Sequence, residues 1–375
     1  MNYFDHAATT SMSKAAIHAF TEAATLCYGN ESSLHDEGMK AKQALEASRA
    51  IIASSFEVDD ECVIFTSGGT ESNQLSIQTL LRDLPPSKTH ILCSQLEHHS
   101  ILQHMEELNR NGYNIEYMEH TSDGTICLEH LQRQIKETTA LIILQHANSE
   151  IGILQPISAV HELIKQKQIR LHVDCVQSFG KIDCTAISSY ADSIAVSSHK
   201  VQGPKGVGAI VFPSIHTLRP HSSITHERGF RAGTVNVPGI YSFSIAVQMM
   251  QHDLAYIKQL RAIIIEELRS VYPFIQCVEG AGANQLPHII CLLFPKVQGQ
   301  YVMMELNKRG YCVSSGSACQ SGAKEPSKVL LAIGKDVDEA KSSIRISLGM
   351  ANTREQCRNL VKALSEIIET VCIQM

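Results

Sequence analysis

The feature that most constrains the fold is an alternation of short apolar runs with helix-like stretches between about residues 60 and 215. The stretch from Ser100 to Arg110, for example, carries its apolar residues at helical spacing. Strand–helix alternation predicts an α/β fold with a mostly parallel sheet between layers of helices. We expect strands at Val63–Phe65, His90–Cys93, Leu141–Leu144, Leu171–Val173, Ile194–Val196 and Val207–Phe212.

The length of the chain predicts two domains. At 375 residues it exceeds one ordinary hydrophobic core. A long helical region is expected at about 236–270, and strands at Ile289–Leu293 and Ile344–Ser347 follow it between helices. We expect residues 16–255 to form a large domain, and residues 1–15 with 256–375 to form a smaller α+β domain that carries a cysteine loop.

Composition narrows the class of protein further. The chain is 44% hydrophobic and 19% charged, which is typical of a globular protein. Its net charge of -6 argues against nucleic acid as a partner, because phosphate binding needs a basic surface. No apolar run approaches the roughly 20 residues that span a bilayer, and the first residues lack the features of a signal peptide. We therefore expect a cytoplasmic protein without membrane contact.

The chain has 12 scattered cysteines. Most lie in apolar surroundings, as Cys62 and Cys291 do, which is typical of buried thiols in a reducing compartment. Because there is no CxxC pair, we expect no metal site. Cys319 differs, since it ends the small, polar stretch that begins at Ser314. Exposure and mobility suit a reactive thiol, although an inert surface cysteine would have the same surroundings.

Two candidate catalytic groups directly follow predicted strands, where ligands bind in such sheets. Lys200 lies four residues after Val196, and an amine in that position can reach a crevice and act as a Schiff-base nucleophile. Asp174 ends an apolar strand, where an unpaired carboxylate would be costly, so a partner cation is expected. The ring nitrogen of pyridoxal phosphate (PLP) is such a cation. The alternatives are a solvated loop lysine and a structural salt bridge.

The stretch Ser67-Gly68-Gly69-Thr70-Glu71 follows the first predicted strand and precedes a helix. Small residues let backbone amides approach an anion, and a helix presents the positive end of its dipole there. This pattern predicts a phosphate cradle, and a plain strand–helix turn is the alternative.

Together these stretches resemble the cysteine desulfurases of the NifS/IscS type, within the class V aminotransferases. The NifS-like branch of Gram-positive bacteria is the most similar. The matching stretches run in family order over nearly the whole chain and lie at residues 5–10, 66–73, 97–99, 172–174, 198–200, 231–234, 314–319 and 343–345.

The resemblance implies PLP fold type I and a role for each matching residue at the cofactor. Lys200 resembles the lysine that carries PLP, and Asp174 would hold the ring nitrogen. Gln177 would bond the ring hydroxyl, and His98 would stack on the ring and shuttle protons. The phosphate would be held by Gly69, Thr70, Ser197 and His199.

The resemblance also implies how substrate and partners bind. Arg345 would pair with the carboxylate of L-cysteine, and either Asn148 or Ser149 would take a contact that the family usually gives to an asparagine. The family's equivalent of Thr234 reaches the phosphate of the neighbouring subunit, which implies a homodimer with shared active sites. A sulfur-acceptor protein, either an iron–sulfur scaffold or a client enzyme, is the expected further partner.

The expected reaction converts L-cysteine to L-alanine and leaves a persulfide on Cys319, which supplies sulfur for iron–sulfur cluster assembly or for other acceptors. The nearest alternatives are a selenocysteine lyase and another class V PLP enzyme, such as an aminotransferase. A non-catalytic sulfur carrier with the same fold is an alternative from a different class. The cysteine loop favours desulfuration, because transamination needs no thiol.

Overall fold

The computed structural model describes residues 1–221, 226–250, 253–282, 284–316 and 325–374, with only the main chain given for 371–374. The strands are β1 Asn2–Tyr3, β2 Val63–Thr66, β3 His90–Ser94, β4 Asn114–Met118, β5 Thr139–Gln145, β6 Arg170–Asp174, β7 Ser193–Ser197, β8 Gly208–Val211, β9 Gln276–Val278, β10 Ile289–Leu293, β11 Tyr311–Cys312, β12 Ser314–Ser315 and β13 Ser343–Ser347. The α-helices are α1 Lys14–Leu26, α2 Asp36–Ser54, α3 Gly69–Arg82, α4 His99–Arg110, α5 Leu128–Gln134, α6 Ile157–Ile164, α7 Val237–Gln248, α8 Leu254–Val271, α9 Gly299–Lys308, α10 Lys328–Ala332, α11 Val337–Lys341 and α12 Arg354–Gln374.

The larger sheet has seven strands in the order β2-β8-β7-β6-β5-β3-β4. Only β8 runs antiparallel to its neighbours. The central strand β5 is buried along its whole length, as expected where helices cover both faces. The predicted α/β class with a mostly parallel mixed sheet is confirmed. In the described part of the chain, no helix is both long enough and apolar enough to cross a membrane.

A second, antiparallel sheet has the order β12-β13-β10-β9, and β1 pairs with β11 beside it. One hydrophobic cluster runs from Ala41 to Val247 around the larger sheet. Another joins Phe4 to residues between Ile257 and Ile368. These clusters agree with two folding units, and the bounds 16–255 and 1–15 with 256–375 stay a prediction.

Two local expectations differ from the structure. The helical region expected at 236–270 consists of two helices, because Asn236 caps α7 and Asp253 caps α8 with side-chain hydrogen bonds. Strand β4 was not predicted, since it lies at the edge of the sheet and is largely solvent-accessible. Its sequence therefore lacks the apolar run that marks the buried strands.

A buried ion pair fixes the strand that leads into the Gly-rich turn. Arg49 on α2 donates to both carboxylate oxygens of Glu227, at 2.9 and 3.0 Å, and also to the carbonyl of Val63 at 2.7 Å. The backbone N–H of Phe65 donates to Glu227 at 2.6 Å. The side chains of both charged residues are almost fully buried. Strand β2 is thus anchored to this pair at two backbone groups.

Replacing Glu227 by glutamine should lower the free energy of unfolding by about 3–5 kcal/mol, because the guanidinium of Arg49 loses its only buried counter-charge in the described structure. Glu46 offers a matched control, since it contacts the same arginine at 3.3 Å from an exposed position. Glu46→Gln should cost less than about 1 kcal/mol. Urea unfolding of both variants measures the difference, and equal losses would contradict the assignment.

Candidate active site

The carboxyl ends of the parallel strands meet at one edge of the larger sheet, and a pocket of about 240 Å³ lies there. Residues that follow β2, β3, β5, β6 and β7 contribute to it, together with the N-terminal segment and one residue of β13. Its lining consists of Ala7, Ala8, Gly69, Thr70, Asn73, His98, Gln145, Ala147, Ser149, Asp174, Val176, Gln177, Ser197, His199, Lys200 and Arg345.

Lys200 ends a single helical turn that directly follows β7. Its Nζ donates to the carbonyls of Ala7 and Ala8 at 2.5 and 2.9 Å. The side-chain amide of Gln177 donates to the same Ala7 carbonyl at 2.9 Å. The N-terminal segment therefore forms a wall that orients both side chains.

Asp174 is a buried carboxylate at the end of β6. It accepts hydrogen bonds at 2.8 Å from the backbone N–H of Val176 and from the side-chain amide of Asn73. Burial raises the pKa of the Asp174 carboxyl, although these hydrogen bonds and the charges of His98 and Lys200 act in the opposite direction. The charged form therefore gains from a cationic ligand.

Asn73 was not predicted as a site residue. Its Oδ1 lies 3.0 Å from Nε2 of the buried His172, and its amide nitrogen bonds Asp174. This chain of contacts fixes the orientation of the carboxylate. The signal was present in the sequence, because Asn73 lies one turn into the helix after the Gly-rich stretch, on the face that meets β6.

His98 is the N-cap of α4 and lines the pocket. The backbone N–H of Ser100 donates to its Nδ1 at 3.2 Å, so the proton of the neutral ring lies on Nε2. Desolvation lowers the pKa of His98 despite its exposed outer edge, Lys200 and His99 lower it further, and Asp174 opposes the shift. The ring is therefore held neutral, with Nε2 as a donor.

An anion-binding corner lies at the N-terminus of α3. The helix begins at Gly69, and Gly68 gives no side-chain cap to its first N–H groups. A Cβ at Gly69 would lie 3.0 Å from a methyl group of Val176, so glycine avoids a tight contact and keeps the backbone accessible here. The hydroxyl of Ser197 is buried without a hydrogen-bond partner in the described structure, and it borders this corner with Thr70 and His199.

The corner suits a phosphate on two independent grounds. A helix N-terminus attracts anions through its N–H groups and its dipole. A buried hydroxyl without a partner is costly unless a ligand accepts its hydrogen bond. Burial and the charges of Lys200 and Lys205 lower the pKa of His199 to about 4, and its Nδ1 lies 3.1 Å from the hydroxyl of Thr9.

Arg345 enters the pocket from β13 of the smaller sheet. It donates to the carbonyl of Ser149 at 3.0 Å, to the carboxylate of Asp5 at 2.8 Å and to the hydroxyl of Ser314 at 3.1 Å. Its Nε is buried without a partner in the described structure. Asp5, which was not predicted as a site residue, thus orients a guanidinium that still has a donor to offer.

The remaining predicted residues take different places. Ser149 lines the pocket, whereas the side chain of Asn148 bonds the Leu96 carbonyl and the backbone of the turn that follows it. The substrate contact that was expected at either residue therefore has Ser149 as its candidate. Thr234 is exposed and does not contribute to the lining, and its role towards a neighbouring subunit stays a prediction. Cys319 lies outside the described residues.

The fold brings together three potential metal ligands that no sequence motif had predicted to be close. The ring of His146 and the thiols of Cys175 and Cys184 place their ligand atoms within 4.8 Å of one another. Sequence reasoning looked for a CxxC pair, and these residues come from three separate segments. The trio provides one ligand fewer than a closed tetrahedral zinc site needs.

Comparisons with known proteins agree with this geometry. The family model described as aminotransferase class-V matches residues 2–360. A Bacillus subtilis (strain 168) protein named "Putative cysteine desulfurase NifS" is 40% identical, with 98% of this chain and 95% of that protein covered. A cysteine desulfurase IscS of Dictyoglomus turgidum (strain DSM 6724 / Z-1310) is 34% identical, with 98% and 94% covered.

Solved structures are similar over the same length. One described as a NifS-like protein has a TM-score of 0.90 and 30% identity, and covers 98% of this chain and 99% of its own. SspA in complex with cysteine has a TM-score of 0.82 and 30% identity, with 93% and 99% covered. The expected PLP fold type I is confirmed by this likeness. The chain belongs to the class V aminotransferase family, in the group of the NifS and IscS proteins.

Proposed function

We propose that this protein is a PLP-dependent cysteine desulfurase, which converts L-cysteine to L-alanine and receives the sulfur on Cys319. The observation that carries the proposal is the convergence of the Lys200 amine, the Asp174 carboxylate and the Arg345 guanidinium on one small pocket. Relatives named as cysteine desulfurases support it. A similar structure in complex with cysteine supports the choice of substrate.

The described residues fit PLP at both of its ends. Asp174 would hold the ring nitrogen, and the corner formed by Gly69, Thr70, Ser197 and His199 would hold the phosphate. Gln177 would bond the ring hydroxyl, and His98 would lie against the ring. When bound through Lys200, the cofactor supplies an electron sink for the charge that develops on the substrate carbon. The raised pKa of Asp174 and the unpaired hydroxyl of Ser197 support this placement.

The substrate would bind through its carboxylate at Arg345, whose planar fork suits a bidentate contact. The ion pair with Asp5 holds the guanidinium in place beforehand, so little side-chain entropy is lost on binding. Ser149 lies next to this contact and would give a further hydrogen bond. The small volume of the pocket favours an amino acid with a short side chain.

Within this pocket Lys200, once its amine is free, would remove the proton from the α-carbon of the substrate. His98 would hold or donate a proton at Nε2. The thiolate of Cys319 would attack the substrate sulfur, the bond between that sulfur and the β-carbon would break, and its electron pair would leave with the β-carbon. Protonation of that carbon completes alanine, and the sulfur stays on Cys319 as a persulfide.

The described residues nearest to Cys319 in the chain support its access to the pocket. Ser314 bonds Arg345 at 3.1 Å, and the strand register pairs these two residues across the sheet. Gly316 is the last described residue before Cys319. Ser314, five residues before Cys319 in the sequence, therefore lies beside Arg345, which would bind the substrate carboxylate.

Exchanging Arg345 for lysine should raise KM for L-cysteine about 10²-fold and lower kcat less, because a single ammonium cannot reproduce a bidentate contact. Steady-state kinetics with the PLP-loaded variant would measure the split. The thermal stability of the variant serves as the control for the lost ion pair with Asp5. An unchanged KM would contradict the substrate contact.

The partners remain proposals. A homodimer is supported by exposed apolar side chains near the N-terminus, since monomers rarely expose such patches; they include Ile17, Phe20, Leu26, Tyr28, Leu34 and Met39. Thr234 would then reach the neighbouring phosphate site. A cytoplasmic location agrees with the described cysteine side chains, which are free thiols. An iron–sulfur scaffold or a client enzyme would accept the sulfur.

The direct test uses the PLP-loaded protein with L-cysteine and a thiol reductant. Equal amounts of alanine and sulfide are the expected products, without any keto acid. The same protein should transfer no amino group from alanine to a keto acid. Transfer at a rate above sulfide release would identify an aminotransferase instead. Release of selenide from added L-selenocysteine, without release of sulfide from L-cysteine, would identify a selenocysteine lyase.

A further inference from the structure

A second cavity, of about 410 Å³, lies beside the candidate active site and shares no lining residue with it. We call it the Lys181 cavity, because Lys181 is the one lysine in its lining. The other polar groups of the lining include His6, His288 and Asp253, and much of the remainder is apolar. Cavities of this size hold small molecules.

Lys181 is charged at neutral pH in a place that disfavours the charge. Burial lowers its pKa to about 8, and no neighbouring carboxylate contributes to raise it. In the described part of the structure, its Nζ has neither a hydrogen bond nor an ion pair. An ammonium that is half withdrawn from water and lacks an acceptor is costly. An anion in the cavity would remove that cost.

Two imidazoles near Lys181 add potential hydrogen-bond donors to the cavity. His288 is 3% exposed, and its Nε2 is buried without a hydrogen-bond partner in the described structure. Burial first, and then the charges of Lys181 and His6, lower its pKa far below the usual value. Burial and Lys181 likewise lower the pKa of His6 to about 4. Neutral rings are donors, so His288 can offer Nε2–H to a ligand.

The acidic residue of the lining does not neutralise this cluster. Asp253 is the N-cap of α8, and its Oδ1 accepts the backbone N–H of Tyr256 at 2.8 Å. It makes no ion pair with Lys181. The cavity therefore keeps an excess of donors at its polar end, which is the reverse of what a cationic ligand needs.

Much of the rest of the lining is apolar and adaptable. It includes Met249, Met250 and Met350, whose flexible thioethers fit ligands of different shape. Val201, Leu254, Ile257 and Leu348 also line the cavity. A bare inorganic anion would leave these side chains against water, so the lining favours a ligand with an apolar body.

We propose that the Lys181 cavity binds a small organic acid, with its carboxylate at Lys181 and His288 and its hydrocarbon chain along the methionines. This cavity is linked to the candidate active site through the N-terminal segment. His6 lines the cavity, and the next residue, Ala7, accepts hydrogen bonds from Lys200 and Gln177. A ligand bound at His6 would press on that segment. The inference does not depend on cysteine turnover.

Hexanoate is a suitable probe, and it can be followed in the PLP-loaded protein with ¹³C-labelled methionine methyl groups. The signals of Met249, Met250 and Met350 should shift as hexanoate is added. Hexylamine, which has the same chain and the opposite charge, should shift none of them. Lys181→Met should weaken hexanoate binding about tenfold or more, since a charge-assisted hydrogen bond is lost.

Arg345→Lys separates this site from the active pocket, which also attracts carboxylates. This variant should leave the three methionine shifts unchanged. If it abolishes them, if Lys181→Met leaves the affinity unchanged, or if the wild type shows no shift, the proposal is wrong. If circular dichroism shows that Lys181→Met does not fold, His288→Phe replaces it in the test. This variant removes the Nε2–H donor but retains a ring, and it should likewise weaken hexanoate binding.

Discussion

Replacing Cys319 by serine is expected to lower sulfide release from L-cysteine by at least about 10³-fold, because an alcohol oxygen is a poor nucleophile towards sulfur and cannot hold a persulfide. Cofactor binding should persist, since none of the residues that fit PLP is changed. The measurement is alanine and sulfide production by the PLP-loaded variant, with the visible absorbance of the bound cofactor as the check on loading.

Cys127→Ser is the matched control, because Cys127 precedes α5 as its N-cap and serine is well suited to such a position. It should release sulfide at the wild-type rate. Full activity of Cys319→Ser would mean that another thiol, or none, accepts the sulfur. Loss of the visible absorbance as well would instead assign Cys319 a part in holding the cofactor.

Arginine at position 200 is expected to remove both the covalent attachment of PLP and turnover, with a loss of about 10³-fold or more in kcat/KM. A guanidinium stays protonated at neutral pH and cannot act as nucleophile or base. It can still donate to the carbonyls of Ala7 and Ala8, so the fold should persist. The substitution Lys200→Arg therefore tests the chemical role of the amine and changes its hydrogen bonds to the backbone little.

Borohydride reduction followed by mass spectrometry checks the attachment, because it fixes PLP to Lys200 in the wild type and to no residue in Lys200→Arg. Lys165→Arg is the control, since Lys165 is an exposed lysine that contacts Glu162. Retained turnover in Lys200→Arg would refute the role of this amine. Attachment at a different lysine would identify that residue as the one that carries PLP.

The sequence predicted those site residues whose position follows from the strand directly before them. Lys200 and Asp174 directly follow apolar strands, and parallel strands bring their carboxyl ends to one edge. A solvated loop lysine was the alternative for Lys200, yet its amine lies against two backbone carbonyls in the pocket. The Gly-rich stretch at Gly69 was likewise predictable, because its position between a strand and a helix defines its geometry.

Other parts depend on segments that only the folded chain brings together. Asp5 meets Arg345 across 340 residues, and no local pattern announces such a contact. The trio of His146, Cys175 and Cys184 likewise joins separate turns. Asn148 and Ser149 could not be separated from the sequence, because adjacent side chains in an irregular turn have no fixed periodicity to show which one faces the pocket.

The N-terminal wall of the pocket has a consequence for how the protein is made. Residues 2–10 leave the ribosome long before their partners, which are His199 and Lys200 and, much later, Tyr311, Cys312 and Arg345. Because domains generally fold as they are synthesised, this short segment must wait for almost the whole polypeptide before it can dock. Its late docking would make cofactor capture an event that follows translation, and a nascent chain released before about residue 345 would lack a working catalytic centre.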